Sequence, residues 1–471
     1  MSLLQNFKGT STQMVAAISG TLFAISDGMT YGWTAPFIPY LISDKSHIKT
    51  TKHEAEYLET ALLLGSFCGL PITIYLVDKI GRKKSLLLAS CVVLLAWIAK
   101  AFGNNIWYFF VARFFCGMSG NMAFVAAPMY IAEIADQKIR GFLSSIIYIM
   151  MLLGCLIVYS VGPYLPYYIP SIIGVIVAGT ELLIFSRVPE SPLYLLSKNK
   201  PERALESLKY FKPYTNATKE MDDLVEVLRE QQKNKGKFWD LLTVSSNRKA
   251  ILIMTVLNAG QHLCAYTVIL MNLHLILEAA GSIYMDPPIA AILFATLMLL
   301  AAMFASFQID NYGRKVLLIF SSVLTALCLL SIAVYFNLKQ MGVDVDGVSW
   351  IPIASVMVYG AVFKIGIGLV PIVVTAEIFP TDLKAIGMTL SDAMFILGGI
   401  VGLQLYQWLS DSYGLYVSFY LFAACGFFIA LFTIFVVPET KGRSLDEIQA
   451  ILKGEKPPRL NNGSNRMDQP E

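Results

Sequence analysis

Charge is what this 471-residue chain has least of, with only 15% Asp, Glu, Lys and Arg, against about 25% in soluble domains. Histidine is scarce too, with four in all. The seven cysteines, Cys68, Cys91, Cys116, Cys155, Cys264, Cys328 and Cys425, all fall inside apolar runs. None has CxxC or metal-ligand spacing, and the stretches between the runs hold no cysteine. A disulfide framework is therefore not expected, and the thiols read as small packing residues. There is no glycine-rich phosphate loop, no metal cluster and no nucleophile constellation. The expected catalytic residues, metal ligands and cofactors are none, and primary transport by ATP hydrolysis finds no support. A net charge of +3 says little about partners, and no nucleic acid is expected among them. The first thirteen residues are polar and lack a cleavable signal, so the first apolar run reads as a retained anchor.

What is present is hydrophobicity, 56% of residues with mean hydropathy +0.61. It comes in runs of about 20, enough to cross roughly 30 Å of hydrocarbon. Twelve spans are predicted near 14–36, 57–77, 85–102, 106–132, 142–162 and 167–186, then 250–273, 288–308, 316–336, 351–375, 386–409 and 415–437. The expectation is an all-α membrane protein. Its organisation is read as an N-terminal six-helix bundle over 1–186, a linker with short helices over 187–249, a C-terminal six-helix bundle over 250–437 and a tail over 438–471.

Three short patterns occur twice in the same order. Asp78 to Lys84 (DKIGRKK) is echoed by Asp310 to Val316 (DNYGRKV). Glu133 precedes Arg140 by seven residues, as Glu377 precedes Lys384. Val188-Pro-Glu-Ser191 is matched by Val437-Pro-Glu-Thr440. Offsets of 232, 244 and 249 residues indicate a duplicated half. In each GRK turn, glycine permits the tight reversal and the basic residues hold the loop in water. Loops 2–3, 4–5, 8–9 and 10–11, the linker and the tail carry most Lys and Arg near span ends, which puts both termini in the cytosol.

These residues together resemble the sugar porter family of the major facilitator superfamily, over roughly residues 14–452. The resemblance rests on both GRK turns, Pro128-Met-Tyr-Ile-Ala-Glu133 with Arg140-Gly141, VPESPLYLL from Val188, AEIFP from Ala376 and VPETKGRSLDEI from Val437. It implies twelve transmembrane helices in two pseudo-symmetric six-helix bundles, the major facilitator fold, rocking about a midplane site. The implied function is carbohydrate transport by alternating access in the cell membrane, a secondary-active or facilitative carrier of a hexose or trehalose, with facilitated diffusion placed slightly ahead of proton symport. Its partners are a small sugar and the bilayer, with protons as a further candidate, and a monomer is expected to suffice. Two alternatives stay open: a proton-coupled carrier of a non-sugar solute such as an organic anion, and a non-transporting nutrient receptor.

The resemblance also implies site residues. The cytosolic gate comprises Asp78, Arg82, Glu133, Arg140, Glu190, Asp310, Arg314, Glu377, Lys384 and Glu439. At the substrate site Tyr148 stands at a sugar-binding Gln, and the QQLSGIN pattern becomes Gln261-His262-Leu-Cys-Ala-Tyr-Thr267. Lys364 stands where some relatives carry a cavity Glu, and Phe395 at the usual Asn or Gln. Six charges interrupt the runs: Asp27, Lys100, Arg113, Glu181, Lys364 and Asp392. Such charges demand a partner or a cavity. Asp27 and Arg113 are the proton-coupling candidates, read at similar depth. Lys100 is expected to snorkel, Glu181 to join the gate, and Lys364 to pair with Asp392.

Overall fold

The computed structural model describes residues 2–213, 217–233, 239–380, 383–443 and 445–455. No strand occurs among them. Among the described residues ten helices are long and apolar enough to cross a membrane. Two further crossings are shorter. Span 1 is a helix in two pieces, Leu22–Gly32 and Thr34–Ile42, entered from Ser2–Gly20. Span 6 is Ile169–Phe185. The others are span 2 (Lys52–Ile80), span 3 (Arg82–Phe102), span 4 (Ile106–Ile134), span 5 (Gln137–Val161), span 8 (Pro287–Tyr312), span 9 (Arg314–Gln340), span 11 (Lys384–Tyr413) and span 12 (Leu415–Phe435). Span 7 breaks into Ser245–Leu263 and Tyr266–Ala280, and span 10 into Trp350–Ile365 and Val370–Ile378.

The twelve spans pack as two halves with matching neighbours. Spans 1–5, 2–4, 3–4 and 3–6 pack together in the first half, as 7–11, 8–10, 9–10 and 9–12 do in the second. Spans 2 and 11, and spans 5 and 8, pack across the divide. Glycines let the helices approach closely: a Cβ at Gly65 or Gly117 would run into the backbone of Phe114 or Leu62, so spans 2 and 4 meet backbone to backbone. Large apolar side chains face outward, among them Phe102, Leu95, Val111, Phe304 and Phe435. Exposed Trp107, Tyr108, Trp350, Trp408 and Tyr413 ring the end opposite the GRK turns. That is the belt expected at a lipid–water boundary.

Both GRK turns are built alike. Gly81 (φ 102°) and Gly313 (φ 86°) take backbone conformations that suit glycine alone. The helices that follow start without a side-chain cap of their own. Distant carboxylates serve instead. Glu190 accepts Lys83 N–H at 2.9 Å, while Glu439 accepts Arg314 N–H at 3.0 Å and Lys315 N–H at 3.1 Å. Each compensates the positive end of a helix. Lys83 and Lys315 donate from their ammonium groups to the carbonyls of Ser186 and Ile434, at the ends of spans 6 and 12. The two VPE segments are therefore repeated because each half needs the same brace.

Candidate functional site at the helix breaks

Span 7 breaks where the sequence reads Gln261-His262-Leu-Cys-Ala-Tyr-Thr267. Ala265 takes a left-handed conformation (φ 68°), and the helix restarts at Tyr266. The turn folds Thr267 back onto His262, whose Nδ1 is hydrogen-bonded to the Thr267 hydroxyl. Both are buried, and His262 Nε2 has no hydrogen-bond partner. Phe395 of span 11 lies edge-on to the His262 ring, 4.2 Å between centroids. One turn deeper, Gln261 donates to Asn258 at 3.5 Å, and Asn258 donates to Thr375 at 3.1 Å. Predicted residues from spans 7 and 11 thus come together, joined to span 10 by Asn258 and Thr375, which the sequence reading missed. Their signal was weak: a polar residue three before Gln261, and a Thr just ahead of AEIFP.

Span 10 breaks next to this cluster. Lys364, buried in the last turn before Gly366, donates to the Tyr266 hydroxyl at 3.2 Å. Its ammonium also lies 4.5 Å from the Tyr266 ring centroid. The expected Lys364–Asp392 pair does not form, because the break in span 10 turns Lys364 toward span 7. Asp392 is exposed and lies close enough to act electrostatically on Tyr148 of the opposite half. It shares a helix face with Phe395, so it looks into the space between the halves. Tyr148 itself lies 6.3 Å from the Phe124 ring.

Asp27 and Arg113 are not paired. Asp27 packs against Gly120, two turns deeper in span 4 than Arg113, and its Oδ2 has no hydrogen-bond partner. Arg113 donates to the Leu58 carbonyl at 2.6 Å and the Thr30 carbonyl at 2.9 Å. The depth estimate failed because span 1 continues to Ile42, which moves Asp27 away from the end near Arg113. Lys100 does not snorkel: it is fully buried, with its ammonium 3.2 Å from the Trp97 ring centroid, a cation–π contact. Glu181 is buried beside Ser90 of span 3 and takes no part in the charge cluster at the GRK end.

The expected gate residues gather at the GRK end, and the pairs Arg82 with Glu133 and Arg314 with Glu377 each lie within one half. Arg82 pairs with Glu133 at 3.1 Å and reaches Asp78 at 3.8 Å. Ser191 also donates to Glu133. In the second half Arg314 pairs with Glu377 at 3.0 Å. Exposed Arg140 donates to the Ala135 carbonyl at 3.4 Å. Lys384 opens span 11. The side chain of Asp310 lies outside the described residues.

Hydrogen bonds between the halves lie at the opposite, far end. Lys52 meets Asp411 at 2.6 Å and Gln404 donates to Thr60 at 2.9 Å. His53, Glu56 and Asp411 bring possible metal-ligand atoms within 4.8 Å of one another there. The Lys52 ammonium already contacts both acids.

Known proteins resemble this chain along nearly all of its length. It is 28% identical over 446 residues to the facilitated trehalose transporter Tret1 of Bombyx mori, covering 94% of this chain and 87% of that protein. It is 26% identical to the facilitated glucose transporter member 8 of solute carrier family 2 from Bos taurus, covering 93% and 94%. The xylose transporter XylE from E. coli, in its inward open conformation, superposes with a TM-score of 0.76 at 22% identity, covering 94% of this chain and 99% of that one. Residues 12–452 match the family described as sugar (and other) transporter, and the chain belongs to that family.

Proposed function

We propose that the protein carries a small sugar, a hexose or trehalose, across the plasma membrane by alternating access, with both termini cytosolic. Residues 1–186 and 250–437 then rock as two bodies, with 187–249 and 438–471 on the cytosolic side and the GRK-end charge clusters as the inner gate. The carrying observation is the polar cluster at the paired breaks of spans 7 and 10: His262 with Thr267, Gln261 with Asn258, and Lys364 with Tyr266. Unwound helix at mid-depth frees polar groups for a solute only where it lines a cavity. Hydroxyl-rich solutes need such matched donors and acceptors.

Facilitated diffusion is the favoured mode, supported by the likeness to transporters named as facilitated in Bombyx mori and Bos taurus. Lys364 favours one second reading: its buried ammonium has a neutral hydroxyl as its hydrogen-bond partner, which suits a solute with an anionic group. The test is uptake of labelled glucose and trehalose into proteoliposomes, with and without an inward proton gradient. Saturable uptake without the gradient is expected. Accumulation driven by the gradient, and lost in Asp27→Asn, makes the carrier a symporter. No uptake of either sugar by folded protein overturns the sugar reading, and labelled organic anions then test the second one.

A further inference from the structure

Glu59 lies two turns inside span 2 at the far end and is fully buried. Its Oε2 accepts from Asn272 of span 7 at 3.2 Å and from Gln407 of span 11 at 3.4 Å. Both donors belong to the other half. Gln407 also donates to the Glu56 carbonyl at 3.3 Å, beside the Lys52–Asp411 ion pair. Asn272 departs from helical geometry (φ −112°, ψ 15°), so span 7 bends where it holds Glu59.

Within its own half Glu59 faces a cation. Arg113 of span 4 sits at the same depth, seven residues from the far end of its helix, as Glu59 is from that of span 2. It is bonded to the carbonyl of Leu58, the residue before Glu59. Arg113 Nη2 and Glu59 Oε1 are both buried and both lack a hydrogen-bond partner, and the two groups interact electrostatically. Glu56, one turn nearer the far end of span 2, is the further charge acting on Glu59, and Glu59 in turn acts on Tyr406 of span 11.

We propose that Glu59 is the gating residue of the far end, exchanging partners between two states. With that end closed, it takes hydrogen bonds from Asn272 and Gln407 and ties the halves together. When the end opens those donors leave with the second half, and Arg113 Nη2 takes the freed carboxylate. A buried carboxylate stripped of donors without such a replacement would oppose opening strongly. Arg113 thus acts as the counter-charge to span 2. The proposal rests on alternating access but not on the identity of the solute.

The test reads the distance across the far end, by pulsed electron resonance between noncanonical amino-acid labels at Asn104 and Val343, in the full chain reconstituted without solute. Gln407→Leu removes a cross-half donor and should raise the far-open population about tenfold, as should Asn272→Leu independently. Adding Glu59→Gln to Gln407→Leu should lower that population again. The amide oxygen still accepts from Asn272, but it no longer attracts Arg113 in the open state. Each variant is measured only after it elutes as a single species of wild-type size. The proposal is overturned if neither donor variant raises the open population, or if Glu59→Gln fails to reverse the rise.

Discussion

Lys364 donates to the Tyr266 hydroxyl at 3.2 Å and so joins the break in span 10 to the break in span 7. A buried ammonium holds two interrupted helices in register through one neutral partner. The arrangement makes this contact a sensitive point of both the fold and the site.

Tyr266→Phe leaves the Lys364 ammonium buried without that acceptor, and should lower stability by about 1–3 kcal/mol. Lys364→Met in the same background removes the charge as well and should recover most of the loss, since deleting both members of a pair costs less than deleting one. Thermal unfolding of the two variants in detergent checks this. No recovery in the double variant would show that Lys364 contributes independently of Tyr266.

Thr267→Val keeps the shape of the side chain and removes the hydroxyl bound to His262 Nδ1. If the imidazole is held there to meet solute, KM for uptake should rise roughly 2- to 10-fold with the maximal rate nearly unchanged. A purely structural contact would lower the melting temperature and leave KM alone.

Gly81→Ala and Gly313→Ala should each destabilise their half by about 1–3 kcal/mol. Both positions have positive φ, and an added Cβ would sit 2.5 Å from Glu190 Oε2 and 2.9 Å from Glu439 Oε2 respectively. Alanine therefore strains the turn and displaces the carboxylate that caps the next helix. Similar losses at the two sites, read from thermal unfolding, are expected from the duplicated construction.

Glu439 makes a pH-dependent contribution. Burial pushes its carboxyl up, but backbone N–H groups of Lys441, Arg314, Lys315 and Thr440 together hold it below the ordinary value of 4.5. A depressed carboxyl stabilises the folded state fully above its unfolded value, and the benefit is lost as pH falls through its folded one. Glu439→Gln should therefore cost about 0.5–1 kcal/mol at neutral pH, solvent screening of this part-exposed carboxylate included, with the gap to wild type closing below about pH 4.5. A gap independent of pH would mean that the charge is not what matters.

The membrane class and the duplication were legible in the chain because each is written locally. Runs of apolar residues announce spans, and GRK turns with VPE segments repeat in order. Even there, the use of the VPE glutamates was not legible, since Glu439 reaches the helix start at Arg314 across 125 positions of sequence. Lys100 and Glu181 were misread for a related reason. Counting residues along a span gives depth, but not whether a neighbouring helix supplies an aromatic face or a hydroxyl at that depth.

The pairings that organise the site were decided by tertiary structure alone. Lys364 and Tyr266 are 98 positions apart, Glu59 and Asn272 are 213 apart, and Glu59 and Gln407 are 348 apart. Periodicity assigns each of these residues to a helix, but packing chooses the partner. Low charge and long apolar runs determined that this chain lives in a bilayer, and the repeated GRK and VPE segments that it does so as two similar halves. Which buried charges meet was set by how helices 7 and 10 break and by how closely glycines such as Gly65 and Gly117 let neighbours approach, because hydrogen bonds in a dry interior form only at contact.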